Sequence, residues 1–269
     1  MNLSKVKMIA TDMDGTLLNT NHEVSTRFFN VFKALQEHNI LFVAASGRPH
    51  YSIVDKLEKI KDDIIVVAEN GGVVIKNNNV LLTKTINKDD LTTIVNQFNK
   101  LAQVNAIFCT QEKAYFLLEN TALAEYLAEF YPNYEVITSI NDIRADVIKI
   151  ALYHDTCSET YLLPHIKNID AIYDVRVSSK NWVDISSKSA NKGFAIKMLQ
   201  DKYNIKADET LIFGDYNNDI EMLKTAKYSY AMANAHPNVK ETANYQTKSN
   251  NEFGVEVVLE QLLEAKKQS

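Results

Sequence analysis

Cysteine and clustered histidine are scarce in this sequence of 269 residues, which argues against disulfide-rich and zinc-binding proteins. The two cysteines, Cys109 and Cys157, lie far apart and match no metal-binding or redox spacing. We therefore expect free thiols and a reducing, cytoplasmic compartment. The six histidines are scattered along the chain, without a pair four residues apart, so we expect no zinc site.

Long apolar runs and excess positive charge are also missing. The longest apolar runs, such as residues 40–45, are far too short to cross a bilayer, and no signal-peptide pattern precedes the first predicted strand. The formal net charge is −5, so we expect neither nucleic acid nor an anionic membrane as a partner. No feature of the sequence indicates a protein partner. The hydrophobic content of 46% is ordinary for a globular protein with a large core.

Hydrophobic periodicity divides the chain into three segments, of which the first is residues 1–82. Apolar runs predict strands at 6–11, 40–45 and 64–68. Helices are predicted between them, with Ser25 as the N-cap of the first and Pro49 in the first turn of the second. Strands that alternate with helices predict an α/β fold whose parallel sheet is covered on both faces.

The second segment, residues 83–188, has a different pattern and is the expected α+β insert. Hairpins are predicted at 106–118 and 175–185, a strand at 148–152, and helices at 90–101 and 123–130. Lys149 and Ala151 alternate with apolar residues, which predicts a half-buried strand. We expect an antiparallel sheet with one face open to solvent.

The α/β pattern returns in the third segment, residues 189–269. Helices are predicted at 192–203, 220–226 and 255–266, and strands at 210–213 and 228–232. The simplest interpretation is a core domain made of residues 1–82 and 189–269, interrupted by a second domain at 83–188.

The motif Asp12-Met13-Asp14-Gly15-Thr16-Leu17 directly follows the first predicted strand. Two carboxylates one residue apart repel each other unless a cation or a proton lies between them. Glycine and threonine suit a tight turn that a phosphate group can approach. The motif therefore fits one bound Mg²⁺, a nucleophilic carboxylate and a carboxyl group that transfers protons. A solvated turn or a helix cap has the same pattern.

Four further polar motifs each have an ordinary alternative. Ser46-Gly47-Arg48 fits an anion site at a helix N-terminus, or a turn capped by Ser46. Glu69-Asn70-Gly71-Gly72 places an amide near a ligand, or is a glycine turn. Ser189-Ala190-Asn191-Lys192-Gly193 places a lysine at a helix N-terminus, where the helix dipole disfavours a positive charge unless an anion binds beside it. The ordinary alternative is a lysine on the protein surface. Gly214-Asp215-Tyr216-Asn217-Asn218-Asp219 offers the hard oxygen ligands of Mg²⁺, or is a solvated loop.

The motifs that contain Asp12, Ser46, Lys192 and Asp215 resemble, in this order, the four signatures of the haloacid dehalogenase (HAD) superfamily, whose members are mostly Mg²⁺-dependent phosphatases. The insert resembles the large cap of the Cof-type, or class IIB, hydrolases. Ala231-Met232-Ala233-Asn234-Ala235 resembles their substrate loop, with Ala233 in place of a frequent glycine. The resemblance implies a Rossmann-like, HAD-like parallel-sheet core with an inserted α+β cap domain of the C2B type.

The resemblance also implies catalytic roles. Asp12 would attack phosphorus and form an aspartyl-phosphate, and Asp14 would act as general acid and then general base. Ser46 would donate to a phosphate oxygen, and Lys192 would neutralise the phosphate and Asp12.

The same resemblance implies ligand-binding roles. The Mg²⁺ ligands would be Asp12, Asp14 through its carbonyl, Asp215, and Asp219 directly or through the bound waters. Substrate contacts would come from Gly47, Arg48, Asn70, Gly71, Asn191, Asn218 and Asn234.

The expected activity is Mg²⁺-dependent hydrolysis of small phosphomonoesters, such as sugar phosphates or phosphorylated cofactors. Two alternatives remain open, namely a phosphosugar mutase with the same nucleophile and a non-catalytic phosphate-binding protein. Trp182, in a predicted strand of the insert, is expected in the core rather than at the substrate.

Overall fold

The computed structural model describes residues 3–118 and 122–268. The strands are β1 (Met8–Thr11), β2 (Leu41–Ala45), β3 (Ile64–Ala68), β4 (Val73–Lys76), β5 (Asn79–Thr83), β6 (Asn105–Cys109), β7 (Ala114–Leu117), β8 (Tyr134–Val136), β9 (Lys149–Tyr153), β10 (Tyr173–Ser179), β11 (Trp182–Ser187), β12 (Thr210–Gly214), β13 (Tyr228–Ala231) and β14 (Tyr245–Gln246). The α-helices are α1 (Thr26–Gln36), α2 (His50–Lys56), α3 (Leu91–Phe98), α4 (Leu123–Leu127), α5 (Ser158–Tyr161), α6 (Leu163–Ile166), α7 (Lys192–Tyr203), α8 (Ile220–Leu223), α9 (Pro237–Thr242) and α10 (Gly254–Lys267).

Within these ranges, the first sheet has eight strands in the order β14-β13-β12-β1-β2-β3-β4-β5. The strands from β14 to β3 pair in parallel, whereas β4 and β5 form an antiparallel hairpin at the edge. Strands β1, β3, β12 and β13 are buried along their whole length because helices cover both faces of the sheet. The predicted α/β core is confirmed, but the hairpin of β4 and β5 was not predicted.

Among the described residues of the insert, the second sheet has six strands in the order β10-β11-β9-β6-β7-β8. Both predicted hairpins are present, as β6 with β7 and β10 with β11. Two expectations were wrong. The short strand β8 pairs in parallel with β7, so the sheet is not wholly antiparallel. Strands β6 and β9 are buried throughout, because hydrophobic clusters lie on both faces of the sheet.

The helices differ from their predicted bounds mainly at the ends. Ser25 caps α1 as predicted, since its side chain accepts a hydrogen bond from Phe28 N. Pro49 is the N-cap of α2 and does not lie inside its first turn. In the described part of the chain, no helix is long and apolar enough to cross a membrane. The eight-stranded sheet takes strands from residues 8–83 and 210–246, and the domain boundaries at 82/83 and 188/189 stay a prediction.

Candidate active site

A cavity of about 340 Å³ lies between the carboxyl edge of the eight-stranded sheet and the six-stranded sheet. On the side of the eight-stranded sheet it is lined by Asp12, Asp14, His22, Ser46, Gly47, Arg48, Asp215, Tyr216 and Asn218. On the side of the insert it is lined by Tyr126, Phe130, Tyr131, Lys149, Ser178, Ser179, Asn181, Trp182 and Asp184.

Three carboxylates and one buried lysine form a cluster at this edge of the eight-stranded sheet. Asp12 follows β1, Asp215 follows β12, and Asp219 lies just before α8. Each offers an oxygen, and these oxygens all lie within 4.8 Å of one another. Lys192, the first residue of α7, places Nζ 2.5 Å from Asp12 Oδ1 and 2.7 Å from Asp219 Oδ1. The parallel strands bring the acids together because their carboxyl ends share one edge.

The charges of this cluster do not balance, because one lysine faces three acids. Burial, opposed by Lys192 and reinforced by Asp219, raises the pKa of Asp12 to about 7. Burial and the neighbouring charge of Asp12 raise the pKa of Asp215 to about 9. Burial alone would lower the pKa of Lys192, but the two carboxylates raise it. A further positive charge at this point would return both acids to their ionised form, so the donor set fits a hard divalent cation.

The loop after β1 packs tightly against the loop after β12. Gly15 has a φ of +79°, and a Cβ atom there would lie 2.3 Å from Asp215 Oδ2. Thr16 Oγ1 donates to Asp215 Oδ1 at 3.1 Å, and Asp219 Oδ2 accepts from the amides of Asp215 and Tyr216. These contacts fix the two acids of the β12 loop against the loop that carries Asp12.

Asp14 pairs with Arg48, whereas Lys192 pairs with Asp12 and Asp219. The guanidinium donates through Nε and Nη2 to the two carboxylate oxygens, each at 2.7 Å, and His22 Nδ1 lies 3.1 Å from Oδ1. Burial would raise the pKa of Asp14, but the hydrogen bonds from Arg48 and His22 hold it well below its usual range. Arg48 also donates to the carbonyl of Glu129 in the insert, and its guanidinium lies 5.1 Å from the centroid of the Phe130 ring.

Ser46 and Gly47 form the wall of the cavity after β2. The Ser46 amide donates to Val67 O, and its hydroxyl accepts from Arg48 N at 3.1 Å. The helix cap is Pro49, so the alternative interpretation of Ser46 as an N-cap was wrong. The Gly47 carbonyl accepts a hydrogen bond of 2.5 Å from Lys149 Nζ.

Asn70 and Asn218 bond to each other at the edge of the cavity. Asn218 lines the cavity and donates through Nδ2 to Asn70 Oδ1 at 3.0 Å. Asn70 is buried and donates through Nδ2 to Asp184 Oδ2 at 2.6 Å. The Asn70 side chain is therefore occupied by protein partners, which argues against its predicted contact with substrate.

Three other predicted substrate contacts do not line the cavity. Gly71 packs against the backbone of Asn191, where a Cβ would lie 2.4 Å from the carbonyl oxygen. The Asn191 side chain caps α7 by accepting from Phe194 N at 2.7 Å. Asn234 donates to Gly15 O at 2.8 Å and accepts from Asn250 N, so it connects the loop after β1 to the segment before α10. Gly71, Asn191 and Asn234 therefore stabilise local structure and do not face the cavity.

Several cavity residues were missed because their positions depend on tertiary contacts. The alternation in β9 predicted a half-buried strand, yet Lys149 is 1% exposed and lies 2.8 Å from Glu69 Oε2. Asp184 and His22 belong to no motif that sequence reasoning could identify. Trp182 was expected in the core rather than at the substrate. It lines the cavity and also packs against Tyr153, with ring centroids 5.1 Å apart, so it belongs to both environments.

A sheet of mainly parallel strands with helices on both faces, paired acids after β1 and an acidic loop after β12 defines an α/β protein whose clustered carboxylates could hold a cation. The model of the haloacid dehalogenase-like hydrolase family matches residues 9–259, and the chain belongs to this family.

Known proteins similar along almost the whole chain support the same conclusion. The 5-amino-6-(5-phospho-D-ribitylamino)uracil phosphatase YbjI of Escherichia coli is 31% identical, with 96% of each chain covered. The crystal structure of SMU.1108c from Streptococcus mutans has a TM-score of 0.89 at 34% identity, covering 96% of this chain and 99% of the other. The subclass IIB sugar phosphatase BT4131 shares the fold, with a TM-score of 0.82 at 22% identity and coverage of 95% and 98%. The family and its phosphatase relatives support phosphatase activity for this chain.

Proposed function

We propose that the protein is a Mg²⁺-dependent phosphatase that hydrolyses small phosphomonoesters through an aspartyl-phosphate on Asp12. The observation that carries the proposal is the position of Asp12. Its carboxylate lines the cavity, pairs with the buried Lys192, and lies within 4.8 Å of the ligand oxygens of Asp215 and Asp219. A carboxylate held between a cation site and a lysine is suited to attack an anionic phosphate group.

The carboxylates of Asp12 and Asp215 and the carbonyl of Asp14 would hold Mg²⁺. Asp219 would orient the ion's waters, because one of its oxygens binds Lys192 and the other accepts two amides. Bound Mg²⁺ supplies positive charge that offsets the repulsion between the phosphate oxygens and the attacking carboxylate. The raised pKa values of Asp12 and Asp215 support a cation at this place.

In the reaction, the Asp12 carboxylate forms a bond to phosphorus while the ester P–O bond breaks. Asp14 gives a proton to the leaving oxygen, then takes a proton from the water that attacks the aspartyl-phosphate and restores Asp12. Because hydrogen bonds from Arg48 and His22 hold Asp14 as a carboxylate, proton donation requires Asp14 to leave these partners and take up a proton from solvent when substrate binds. Ser46 would donate to a phosphate oxygen, and Lys192 would balance the charge of Asp12 and the phosphate.

The substrate is proposed to be a small phosphorylated metabolite, either a sugar phosphate or a phosphorylated cofactor. The insert side of the cavity combines the aromatic rings of Tyr126, Phe130 and Trp182 with the polar side chains of Ser178 and Asn181. This wall suits a leaving group with hydroxyls and a planar part. The name of the relative from Escherichia coli, a phosphatase for a ribityl-uracil phosphate, supports that class.

Free Cys109 and Cys157 support a cytoplasmic location.

The first test is phosphate release from a panel of small phosphomonoesters, measured with Mg²⁺ and with EDTA. We expect release that depends on Mg²⁺ and is lost in Asp12→Asn, which keeps the shape of the side chain but removes the nucleophile. Steady turnover by Asp12→Asn would refute the aspartyl-phosphate mechanism. Release of an isomerised ester instead of free phosphate would identify the mutase.

The second test separates Asp14 from the nucleophile. In Asp14→Asn we expect both half-reactions to slow by about 10²- to 10⁴-fold, because the proton donor and acceptor is lost. Rapid-quench measurement of the phosphoenzyme and of released phosphate reports the two steps. An unchanged rate for both steps would exclude Asp14 as the acid and base.

A further inference from the structure

A buried charged cluster joins the two sheets at the wall of the cavity, and the chemistry above gives it no role. Lys149, from β9, is 1% exposed and lies 2.8 Å from Glu69 Oε2 and 3.7 Å from Asp184 Oδ2. Its Nζ donates to the carbonyl of Gly47 at 2.5 Å. Because apolar residues stabilise a core at least as well as a buried ion pair does, the cluster calls for a reason other than stability.

The turn after β3 is strained and depends on this cluster. Glu69, Asn70 and Gly71 have φ values of +52°, +56° and +95°. Residues other than glycine are disfavoured at such positive φ values. The turn bonds directly to the loop after β2, because Glu69 N donates to Arg48 O and Asn70 N donates to Ser46 O. A strained turn persists only where surrounding contacts determine it.

Asn70 connects the turn to both sides of the cavity. Its amide donates to Asp184 Oδ2 on β11, and its oxygen accepts from Asn218 in the loop that carries Asp215 and Asp219. Lys149 and Asp184 lie on interior strands of the six-stranded sheet, which are rigid supports. The contacts therefore run from the insert, through the turn, to the backbone of Ser46.

We propose that Lys149, Asp184 and Asn70 are positioning residues, which hold the Ser46-Gly47 loop in the geometry that binds phosphate. The inference rests on the proposed function, in which Ser46 contacts a phosphate oxygen. Lys149 fixes the Gly47 carbonyl, and the Asn70 bridge fixes the Ser46 carbonyl through the turn. Loss of these contacts lets the loop move away from its phosphate-binding position, without removing a group that touches the reacting atoms.

The Asn70→Gly variant removes the side-chain bridge without adding backbone strain to the turn. Glycine accepts a φ of +56° without cost, so the variant adds no backbone strain, while the side-chain contacts that tie the turn to Asp184 and Asn218 disappear. We expect the dissociation constant for inorganic phosphate to rise about tenfold, with a lower kcat and a lower melting temperature, because the buried Asp184 loses a donor. Isothermal titration with inorganic phosphate in Mg²⁺ measures this directly.

Lys149→Met tests the same contact from the insert side. We expect weaker phosphate binding of about the same size, together with a lower melting temperature, because Glu69 and Asp184 lose their counter-charge. The matched control is Ile150→Val, the next residue of β9, which packs into the hydrophobic cluster of the insert. This control is expected to lower the melting temperature while phosphate affinity stays at the wild-type value.

Wild-type phosphate affinity in Asn70→Gly would overturn the inference, and it would do so even if Lys149→Met does not fold. An equal loss of affinity in Ile150→Val would also overturn it, since general loosening would then explain the effect. The titration does not depend on turnover. If the wild type binds phosphate but hydrolyses no ester, the proposed function fails while the positioning of the loop is still tested.

Discussion

At the scale of single residues, Gly15 controls how closely the Asp12 loop approaches Asp215. Its φ is +79°, and a Cβ added there would lie only 2.3 Å from Asp215 Oδ2, which leaves no room for a methyl group. In Gly15→Ala we expect Asp215 to shift and turnover to fall by about 10²-fold, because a displacement of about 1 Å has that effect on catalysis. Steady-state kinetics at saturating Mg²⁺ checks this.

The Gly15→Ala variant also has a stability signature. Because the added Cβ displaces Asp215 from the other acids, addition of Mg²⁺ is expected to raise the melting temperature less than in wild type. Wild-type turnover combined with a wild-type response to Mg²⁺ would show that the loop tolerates the methyl group and that the tight contact is not required.

Residues that follow parallel strands could be placed from the sequence, whereas residues held by contacts between sheets could not. Asp12 and Asp215 follow neighbouring strands, so one sheet edge brings them together. The pairing of Arg48 with Asp14 depends on side-chain direction, which no spacing gives. The alternation of polar and apolar residues predicted an exposed Lys149. The residue is buried instead, because its ammonium group has charged partners in Glu69 after β3 and Asp184 on β11. The cap role of Asn191 was predictable, since asparagine before a helix favours capping.

At the scale of elements, α1 depends on its N-cap. Ser25 Oγ accepts from Phe28 N at 2.9 Å and donates to Glu256 Oε1 of α10 at 2.5 Å. We expect Ser25→Ala to lower the free energy of unfolding by about 1–2 kcal/mol, because it removes the cap and leaves the buried Glu256 without this donor. Urea denaturation measures the change, and kcat is expected to stay the same because the cap lies outside the cavity.

Ser25→Thr is the matched control for that prediction. Threonine keeps the hydroxyl at the N-cap, so we expect most of the stability to be retained. An equal loss in both variants would indicate that packing around residue 25, and not the hydrogen bonds, holds α1 against α10.

The hairpin of β4 and β5 shows why one element escaped prediction. Val73, Val74 and Ile75 are all apolar and follow a glycine turn, so they give no clear alternation. The signal that could have found the hairpin lies in Asn77 and Asn78, which both have positive φ, at +48° and +61°. Asparagine pairs favour the two-residue turns of hairpins. The strand β8 has no such signal, because its residues are exposed and its pairing is set by β7.

At the scale of the whole molecule, the two sheets have separate hydrophobic clusters and meet at charged groups. One cluster surrounds the eight-stranded sheet, and two smaller clusters flank the six-stranded sheet. Between them lie the three acids with Lys192 and the second group formed by Lys149, Glu69 and Asp184. Electrostatics at this junction should therefore make the stability of the protein sensitive to both pH and Mg²⁺.

We expect the metal-free protein to lose stability as the pH rises from about 5 to about 9. In the folded state, the pKa of Asp12 is about 7 and that of Asp215 about 9, both raised from 3.8. The folded protein then binds protons that the unfolded chain has released, so the free energy of unfolding falls with rising pH. Urea denaturation in EDTA at several pH values checks the sign of this slope. Asp14 titrates below this window, since its pKa is lowered.

Mg²⁺ and Asp215→Asn should each flatten this slope, for different reasons. Mg²⁺ favours the ionised acids in the folded state and is expected to stabilise the protein most at high pH, where no proton competes for the carboxylates. Asp215→Asn removes one of the two raised titrations and weakens metal binding, so its stability should depend less on pH in EDTA and respond less to Mg²⁺. If Asp215→Asn kept the wild-type slope in EDTA, the repulsion among the three acids would not be what limits stability at high pH. A wild-type response to Mg²⁺ in the same variant would place the cation away from Asp215.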